Sequence, residues 1–212
     1  MTDQVPATGL VFEIEVPPAW FELDLRPASR DRAAKTMVER TVKASPELWE
    51  ARGAIVRYVR GIARQAWDAG ARYCMAFAKA AGDGVLVGAL TITVLPPLGT
   101  RGRTGLTDLM DQVSRGGQPG AGDWSMTDVV TMDGAGKAVR RWGVRRQRLE
   151  QRGKEIRLVF HDTFIPVQGA VVLVACASPD ADVAEPLLEV FQAVTDTLVL
   201  SDAPEDAEQE DS

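Results

Sequence analysis

Four strand-like segments follow one another in the second half of the sequence, with no helical segment between them. They are rich in β-branched and aromatic residues, and short polar or Gly-containing stretches separate them. The segments are SMTDVVTM (125–132), KAVRRWGVRRQR (137–148), KEIRLVFHDTFIPV (154–167) and AVVLVACAS (170–178). Strands this close in sequence favour antiparallel pairing, because parallel neighbours need a long crossover. The order predicts an α+β fold in which a largely antiparallel sheet packs against helices.

The remaining elements are indicated by periodicity. The opening stretch FEIEVPPAWFELDL alternates apolar and acidic residues, and its two prolines predict a β-hairpin bend. Apolar residues at helical spacing predict a pair of helices over 29–69, with Ser45 as cap of the second and a third helix from Leu106. Two more strands are expected at 72–79 and 85–95, and a last helix, with an Asp182–Glu185 capping box, over 183–198.

Length and charge predict the domain organisation. A chain of 212 residues is long enough to bury a core without staples. The sequence contains 24 basic and 30 acidic residues, and all of the excess acid lies in the terminal DAPEDAEQEDS. We expect a disordered N-terminus over 1–9, one α+β domain over 10–201 and a disordered acidic tail over 202–212.

Composition indicates a cytoplasmic protein without a membrane-inserted segment, a metal site or a cofactor. The first nine residues show no signal peptide, and the longest apolar run is too short to insert into a membrane. Cys74 and Cys176 lie in strand-like segments and are expected to be reduced core thiols of a cytoplasmic protein. One histidine and no C-x-x-C pair make a structural zinc site improbable. We therefore expect no cofactor and no metal.

Catalytic patterns are weak. His161-Asp162 is the one place where a histidine-based mechanism could start, but no G-x-S-x-G turn accompanies it. A structural histidine at a strand edge or bulge is the favoured interpretation. The loop GTRGRTG, between a strand and a helix, lacks the spacing of a Walker or dinucleotide motif. It is either a connector or an anion site formed by Arg101 and Arg103.

The strongest positive feature of the sequence is a basic segment over residues 137–148. It contains six bases, no acid and one tryptophan. On a strand, Arg141 and Arg145 would lie on one face and Trp142 and Val144 on the other. The alternatives are a solvated surface, a site for an acidic protein, and a nucleic-acid site, which is the least favoured because no such motif accompanies it. The candidate partner-binding residues are Arg140, Arg141, Trp142, Arg145, Arg146 and Arg148.

The two opposite charge runs suggest a further hypothesis. A disordered tail over 202–212 would weakly shield the basic segment if the last helix released it nearby. The alternative is a tail that only adds solubility.

The order of elements resembles the PsbP-like fold. An opening strand ends in proline with a tryptophan shortly after it (FEIEVPPAW), and a middle helix, meandering strands and a final helix after SPD follow. PsbP, the Ran-binding Mog proteins and many bacterial proteins share that fold, and the Ala- and Arg-rich composition is similar to that of actinobacterial chains. The resemblance covers most of residues 10–200. It implies a PsbP-like sandwich that binds a partner and is not catalytic.

These observations favour binding over catalysis. The main hypothesis is a cytoplasmic adaptor or accessory protein that binds another protein, an acidic one being one alternative, within a larger bacterial assembly. The second hypothesis is an enzyme or a small-molecule-binding protein with a pocket between the long helix and the sheet. An exposed apolar or charged patch would favour the first, and a pocket lined by perturbed titratable groups the second.

Overall fold

A computed structural model describes residues 9–82, 84–97, 104–115, 123–149 and 154–202. The predicted disordered segments therefore lie outside the described residues, apart from Gly9 and Asp202 at their inner ends. The strands in the described part are β1 Leu10–Glu13, β2 Phe21–Glu22, β3 Ala71–Ala81, β4 Gly84–Leu95, β5 Trp124–Met132, β6 Gly136–Leu149, β7 Lys154–Val167, β8 Ala170–Ser178 and β9 Val199–Asp202. The α-helices are α1 Arg30–Ala44, α2 Arg52–Asp68, α3 Leu106–Arg115 and α4 Ala184–Asp196.

Seven strands form one sheet in the order β2-β3-β4-β8-β7-β6-β5, and every neighbouring pair is antiparallel. A second sheet contains β1 and β9. The predicted α+β class and antiparallel sheet are confirmed. The six strands predicted between residues 72 and 178 all form.

The predicted opening hairpin is wrong. β1 pairs with β9 at the other end of the described chain, and β2 pairs with β3 in the large sheet. The alternation correctly marked apolar positions, since Phe12 and Ile14 pack on the core. Both strands are too short to be stable as an isolated hairpin, so each takes a partner that is already anchored.

Helices cover both faces of the large sheet. α1 and α2 cover β3 and β4 on one face, where Val38, Ile55 and Val59 are buried against Ala76 and its neighbours. α3 lies on the same face over β5 and β6. α4 covers β6, β7 and β8 on the opposite face. The two faces thus bury separate apolar cores.

The core beneath α4 contains the large apolar side chains of both sheets. Phe191 of α4 is fully buried, and the edge of Trp20 meets its ring at a centroid distance of 6.5 Å. Trp20 also stacks on Phe77 of β3 at 4.9 Å, and Phe12 of β1 meets Tyr73 at 5.6 Å. The opening segment therefore closes this core from the solvent side.

Two predicted helix caps are not formed. Ser45 precedes a 3-10 turn, Pro46–Leu48, without a side-chain hydrogen bond, and α2 begins only at Arg52. α4 begins after Val183 and has no side-chain cap, so the Asp182–Glu185 capping box is wrong. The position of Pro186 in the first turn of α4 is confirmed.

A glycine in the middle of α2 offers a direct test of helix stability. A Cβ on Gly61 would meet no atom within 4 Å. Gly61→Ala is expected to stabilise the protein by roughly 0.5–1 kcal/mol, because alanine has less backbone freedom to lose on folding. Urea denaturation measures the change, with exposed Lys79→Ala in β3 as a control. A decrease in stability would contradict this account of the site.

Candidate binding surface

The basic strand β6 divides its side chains between the two faces of the sheet. Val144 is buried in the core on the α4 face. The guanidinium carbons of Arg141 and Arg145 lie over the Phe160 ring on the other face, 5.7 and 4.4 Å from its centroid. The predicted separation of Arg141 and Arg145 from Trp142 and Val144 is confirmed.

Arg140 does not belong to an exposed surface, which corrects its assignment to the partner-binding set. Its side chain points under α4 and is only 5% exposed. Its Nε donates to Thr163 Oγ1 at 3.3 Å, and its Nη2 donates to Asp196 of α4. Arg140 therefore ties the end of α4 to the sheet, because a buried guanidinium needs partners for its N–H groups.

Arg145 and Asp162 form the charged part of this surface on the α3 face. Arg145 Nη1 lies 3.6 Å from Asp162 Oδ2, and the arginine is about half exposed. Arg141 Nη1 donates to the carbonyl of Val113 at 3.3 Å, which links β6 to α3. Burial raises the pKa of Asp162 to about 6, although Arg145 and Arg141 oppose the shift. Arg145 is thus held beside a carboxyl group that ionises near neutral pH.

The raised pKa of Asp162 predicts how stability changes with pH. The folded protein holds this proton more tightly than the unfolded chain, whose aspartate pKa is 3.8. The stabilisation is complete below about pH 3.8 and is lost as the pH rises through about 6. Asp162→Asn is therefore expected to stabilise the protein by about 1–3 kcal/mol at pH 7.5 and to have little effect at pH 4. Denaturation at both values checks this; destabilisation at pH 7.5 would contradict it.

Arg146 lies at the outer end of the same strand. Its Nε is 3.8 Å from Asp123 Oδ1, and its Nη1 is 3.9 Å from Glu155 Oε2. The backbone N–H of Arg146 also donates to Asp123 at 3.0 Å. The side chain of Arg148 and the whole of Arg101 and Arg103 lie outside the described residues, so their proposed roles stay predictions.

Acids that are distant in sequence reduce the charge of the basic segment. Asp123, Glu155 and Asp162 come from other strands or the segment before β5, and each lies within 4 Å of a guanidinium group of β6. The segment is therefore much less positive in the fold than along the sequence. A phosphate backbone would meet these carboxylates as well as the arginines, which disfavours nucleic acid.

An apolar surface beside the arginines was missed by sequence reasoning. Met126 of β5 pairs in register with Trp142 of β6, so both side chains lie on the α4 face of the sheet. Met126 is 57% exposed, and Trp124, two residues earlier on the same face, is also exposed. We call Trp124, Met126 and Trp142, together with Arg146 on the same face and Arg145 on the other face of β6, the outer-strand surface. The segment SMTDVVTM was predicted only as a strand, without its position in the sheet.

Gly143 allows β5 to lie against β6 at this surface. Its φ is +150°, and a Cβ there would lie 2.1 Å from the carbonyl oxygen of Trp124. No other residue leaves room for that carbonyl. Phe160 is the partner of Gly143 in register on the α3 face. The absence of a side chain at Gly143 leaves space there for the guanidinium groups of Arg141 and Arg145, which lie over the Phe160 ring.

His161 lies in the interior of the sheet, so its predicted position at an edge or bulge is wrong. β7 is flanked by β6 and β8, and His161 pairs with Trp142 and Cys176. Both ring nitrogens are buried without a hydrogen-bond partner among the described residues. Burial, with a contribution from Arg140, lowers the pKa of His161 to about 4. The imidazole is neutral at physiological pH, and its structural role stays a prediction.

A groove lies between α1 and α2. Its volume is about 1320 Å³, with Val38 and Val42 at its floor and exposed Trp49 at its rim. None of the groups with a shifted pKa lines it. A pocket suited to acid–base catalysis would bring such groups together, so this groove gives the enzyme hypothesis no catalytic constellation.

The two cysteines are buried and free, and they lie on opposite faces of the sheet. Burial raises the pKa of each thiol to about 12. Within the described ranges, no group of three or more His, Cys, Asp or Glu residues is arranged to hold a metal ion. No helix in those ranges is long and apolar enough to cross a membrane.

The last described strand, β9, lies beside the turn between β5 and β6. The N–H of Leu200 in β9 donates to the carbonyl of Gly134, in the turn between β5 and β6. Arg145 lies about nine residues further along β6, roughly 30 Å away at the rise of an extended strand. An unstructured chain of the tail's length spans roughly 15–20 Å on average. The distance therefore disfavours the shielding hypothesis.

The comparisons with known proteins assign no family. No family model matches the chain, and the comparison with curated proteins also gave no match. Among solved structures, the chain is similar to LpqN, a protein involved in cell envelope biogenesis of Mycobacterium tuberculosis, at 12% identity and a TM-score of 0.48. The alignment covers 92% of this chain and 86% of LpqN. The similarity carries no inference about activity or partner, and the resemblance to PsbP-like proteins stays a prediction.

Proposed function

We propose that this protein is a non-catalytic adaptor or accessory protein of the cytoplasm that binds another protein through the outer-strand surface. The observation that carries the proposal is the exposure of Trp124 and Met126 beside Trp142 on one face of the sheet. Exposing large apolar side chains to water is energetically unfavourable, and exposed clusters of them mark interaction sites. The PsbP-like resemblance is compatible with this function.

The residue types of the surface fit a protein interface. Trp, Met and Arg are enriched at the centres of such interfaces, where they anchor the partner. Arg146 lies on the same face as the apolar group and Arg145 on the opposite face of β6, and both are about half exposed. Their ion pairs with Asp162 and Asp123 have N–O distances of 3.6 and 3.8 Å, longer than a charge-assisted hydrogen bond. A partner carboxylate that approaches more closely could compete for them, which favours an acidic partner.

A site-specific crosslinker tests the proposal. A photoreactive residue is placed at Met126 and, as a control, at exposed Lys79 on β3, and both proteins are produced in cells of the source organism. We expect one defined protein to be crosslinked from position 126 and not from position 79. Trp142→Ala should reduce that product at least fivefold in a folded protein. Equal crosslinking from the two positions, or a product that Trp142→Ala leaves unchanged, would overturn the proposal.

A further inference from the structure

The outermost strand β5 has one edge with no strand beside it in the described part of the chain. β5 is the last strand of the seven-stranded sheet and runs for nine residues. Resting on the proposed function, we propose that the partner supplies an extended segment of alternating apolar and acidic residues, which pairs with this edge as an additional strand. This mode uses backbone hydrogen bonds for affinity and alternate side chains for specificity.

The composition of β5 suits pairing with another strand. Proteins commonly protect exposed edges with lysine, proline, bulges or very short strands. β5 contains neither lysine nor proline. Its one charged residue, Asp128, accepts the N–H of Val129 at 2.8 Å, a bond that an added strand would replace if that N–H faces the open edge. The pairing of β5 with β6 runs without a register shift from Trp124 to Met132. The strand at the opposite edge of the sheet, β2, has only two residues, and its shortness protects that edge from pairing with another chain.

The apolar positions of the incoming segment would extend an existing row of side chains. On the α4 face, Cys176, His161, Trp142 and Met126 are consecutive partners in register across β8, β7, β6 and β5. The row passes from full burial at Cys176 to 57% exposure at Met126. An apolar residue on the next strand would continue this row and cover Met126. The exposed end of the row therefore selects an apolar side chain.

The acidic positions follow from the other face. There Thr131 of β5 lies opposite Lys137 of β6, whose side chain is exposed. Arg145 leans away from β5, toward Asp162 and Phe160 of β7. An added strand would lie about 10 Å from β6, since neighbouring strands are spaced by about 4.8 Å. The long side chain of Lys137 and a glutamate on the added strand can bridge that distance over Thr131. Alternation then places apolar residues on the Met126 face and acids on the Lys137 face.

A synthetic peptide of five Val-Glu repeats is the probe, and amide hydrogen exchange of the full-length protein is the readout. At saturation, we expect amides within 124–132 to exchange at least tenfold more slowly, with no change in β2. A peptide of the same composition without alternation and a Val-Lys repeat are expected to bind at least tenfold more weakly. Lys137→Gln should weaken the Val-Glu peptide about three- to tenfold.

Matched variants separate pairing at the edge from general surface effects. Val129 in β5 and Val190 in α4 are 41% and 40% exposed, so glutamate at either position enters a similar environment. Val129 lies on the same face as Thr127, where the glutamates of the peptide would lie. Val129→Glu is therefore expected to weaken binding at least tenfold through like-charge repulsion, and Val190→Glu less than twofold, at unchanged thermal stability. Equal effects of the two variants would overturn the proposal.

Other occupants of the edge would give different results. If residues outside the described ranges, or a second copy of the chain, already covered the edge, the outward amides of the free protein would be protected. Val129→Glu would then expose these amides or abolish a dimer seen by sedimentation. Either result would overturn the partner-strand proposal. Absence of peptide protection at millimolar concentration would also overturn it. If Met126 still crosslinks one partner in that case, the proposed function survives and only strand addition fails.

Discussion

Replacing Gly143 with alanine is expected to destabilise the protein by about 2–4 kcal/mol, the range in which a single substitution meets both strain and overpacking. The new Cβ would lie 2.1 Å from the Trp124 carbonyl oxygen and 2.8 Å from the Cα of Ser125. Both obstacles are backbone atoms, so rotation of a side chain cannot relieve the contact. The φ of +150° adds strain for any residue with a Cβ. We expect β5 to move away from β6.

Gly136 provides the control for Gly143. Its φ is +78°, but a Cβ there would meet no atom within 4 Å. Gly136→Ala is expected to cost only about 1–2 kcal/mol, the conformational part of the penalty. Urea denaturation gives both stabilities, and hydrogen exchange shows whether the loss at Gly143 begins in β5. If the two variants have the same free energy of unfolding, the close contact of the new Cβ with Trp124 does not destabilise the protein, and our account of Gly143 is wrong.

Acidification from pH 6.5 to 4 is expected to remove about 3 kcal/mol of stability through His161 alone. The folded pKa is about 4, whereas the unfolded value is near 6.5. Below pH 6.5 the unfolded chain takes up a proton that the folded protein excludes, and each pH unit costs about 1.4 kcal/mol. Arg140 of β6 disfavours the imidazolium, and Asp196 of α4 only partly compensates. Above pH 6.5 this contribution is constant.

His161→Gln removes the titrating group and tests that assignment. In the wild type the opposite shift of Asp162 offsets most of this loss, so the Asp162→Asn background isolates it. Asp162→Asn alone should lose about 3 kcal/mol between pH 6.5 and 4. His161→Gln alone should gain stability as the pH falls from 6, and the double variant should give a nearly flat profile. Denaturation midpoints at several pH values measure these trends. If Asp162→Asn lost no more stability in acid than the double variant, the role of His161 would be refuted.

The sequence predicted the central strands because each carries its own periodicity. β8 has apolar residues on both faces and is indeed a central strand, paired with β4 and β7. β9 was missed, since Val199 and Leu200 are too few to distinguish a strand from the start of the acidic tail. β1 and β2 were recognised but paired wrongly, because pairing depends on distant partners. The local alternation of apolar residues therefore identified the long strands, whereas contacts between distant segments determine the pairing of the short strands β1, β2 and β9.

The candidate surface was predictable only in part. Alternation correctly placed Arg141 and Arg145 on one face, but it could not show that Arg140, on the other, would lie beneath α4 and meet Asp196. The exposure of Met126 depends on β5 being the last strand of the sheet, and strand order is not readable from one sequence. Charges that look unbalanced along β6 are offset by Asp123 and Glu155 only after folding.

The pairing of β1 with β9 has a consequence for synthesis in the cell. Leu10 and its neighbours pair with the last residues of the described chain, so the small sheet cannot form until β9 has left the ribosome. Until then Phe12 lacks its strand partner Leu200. Pairing over such a separation requires closure of a very long loop, which slows folding. β8, which joins β4 to β7, and Phe191 of α4 are also made late. The large sheet and the core beneath α4 therefore cannot be completed until the last part of the described chain has been made, and chaperone binding would matter most before that point.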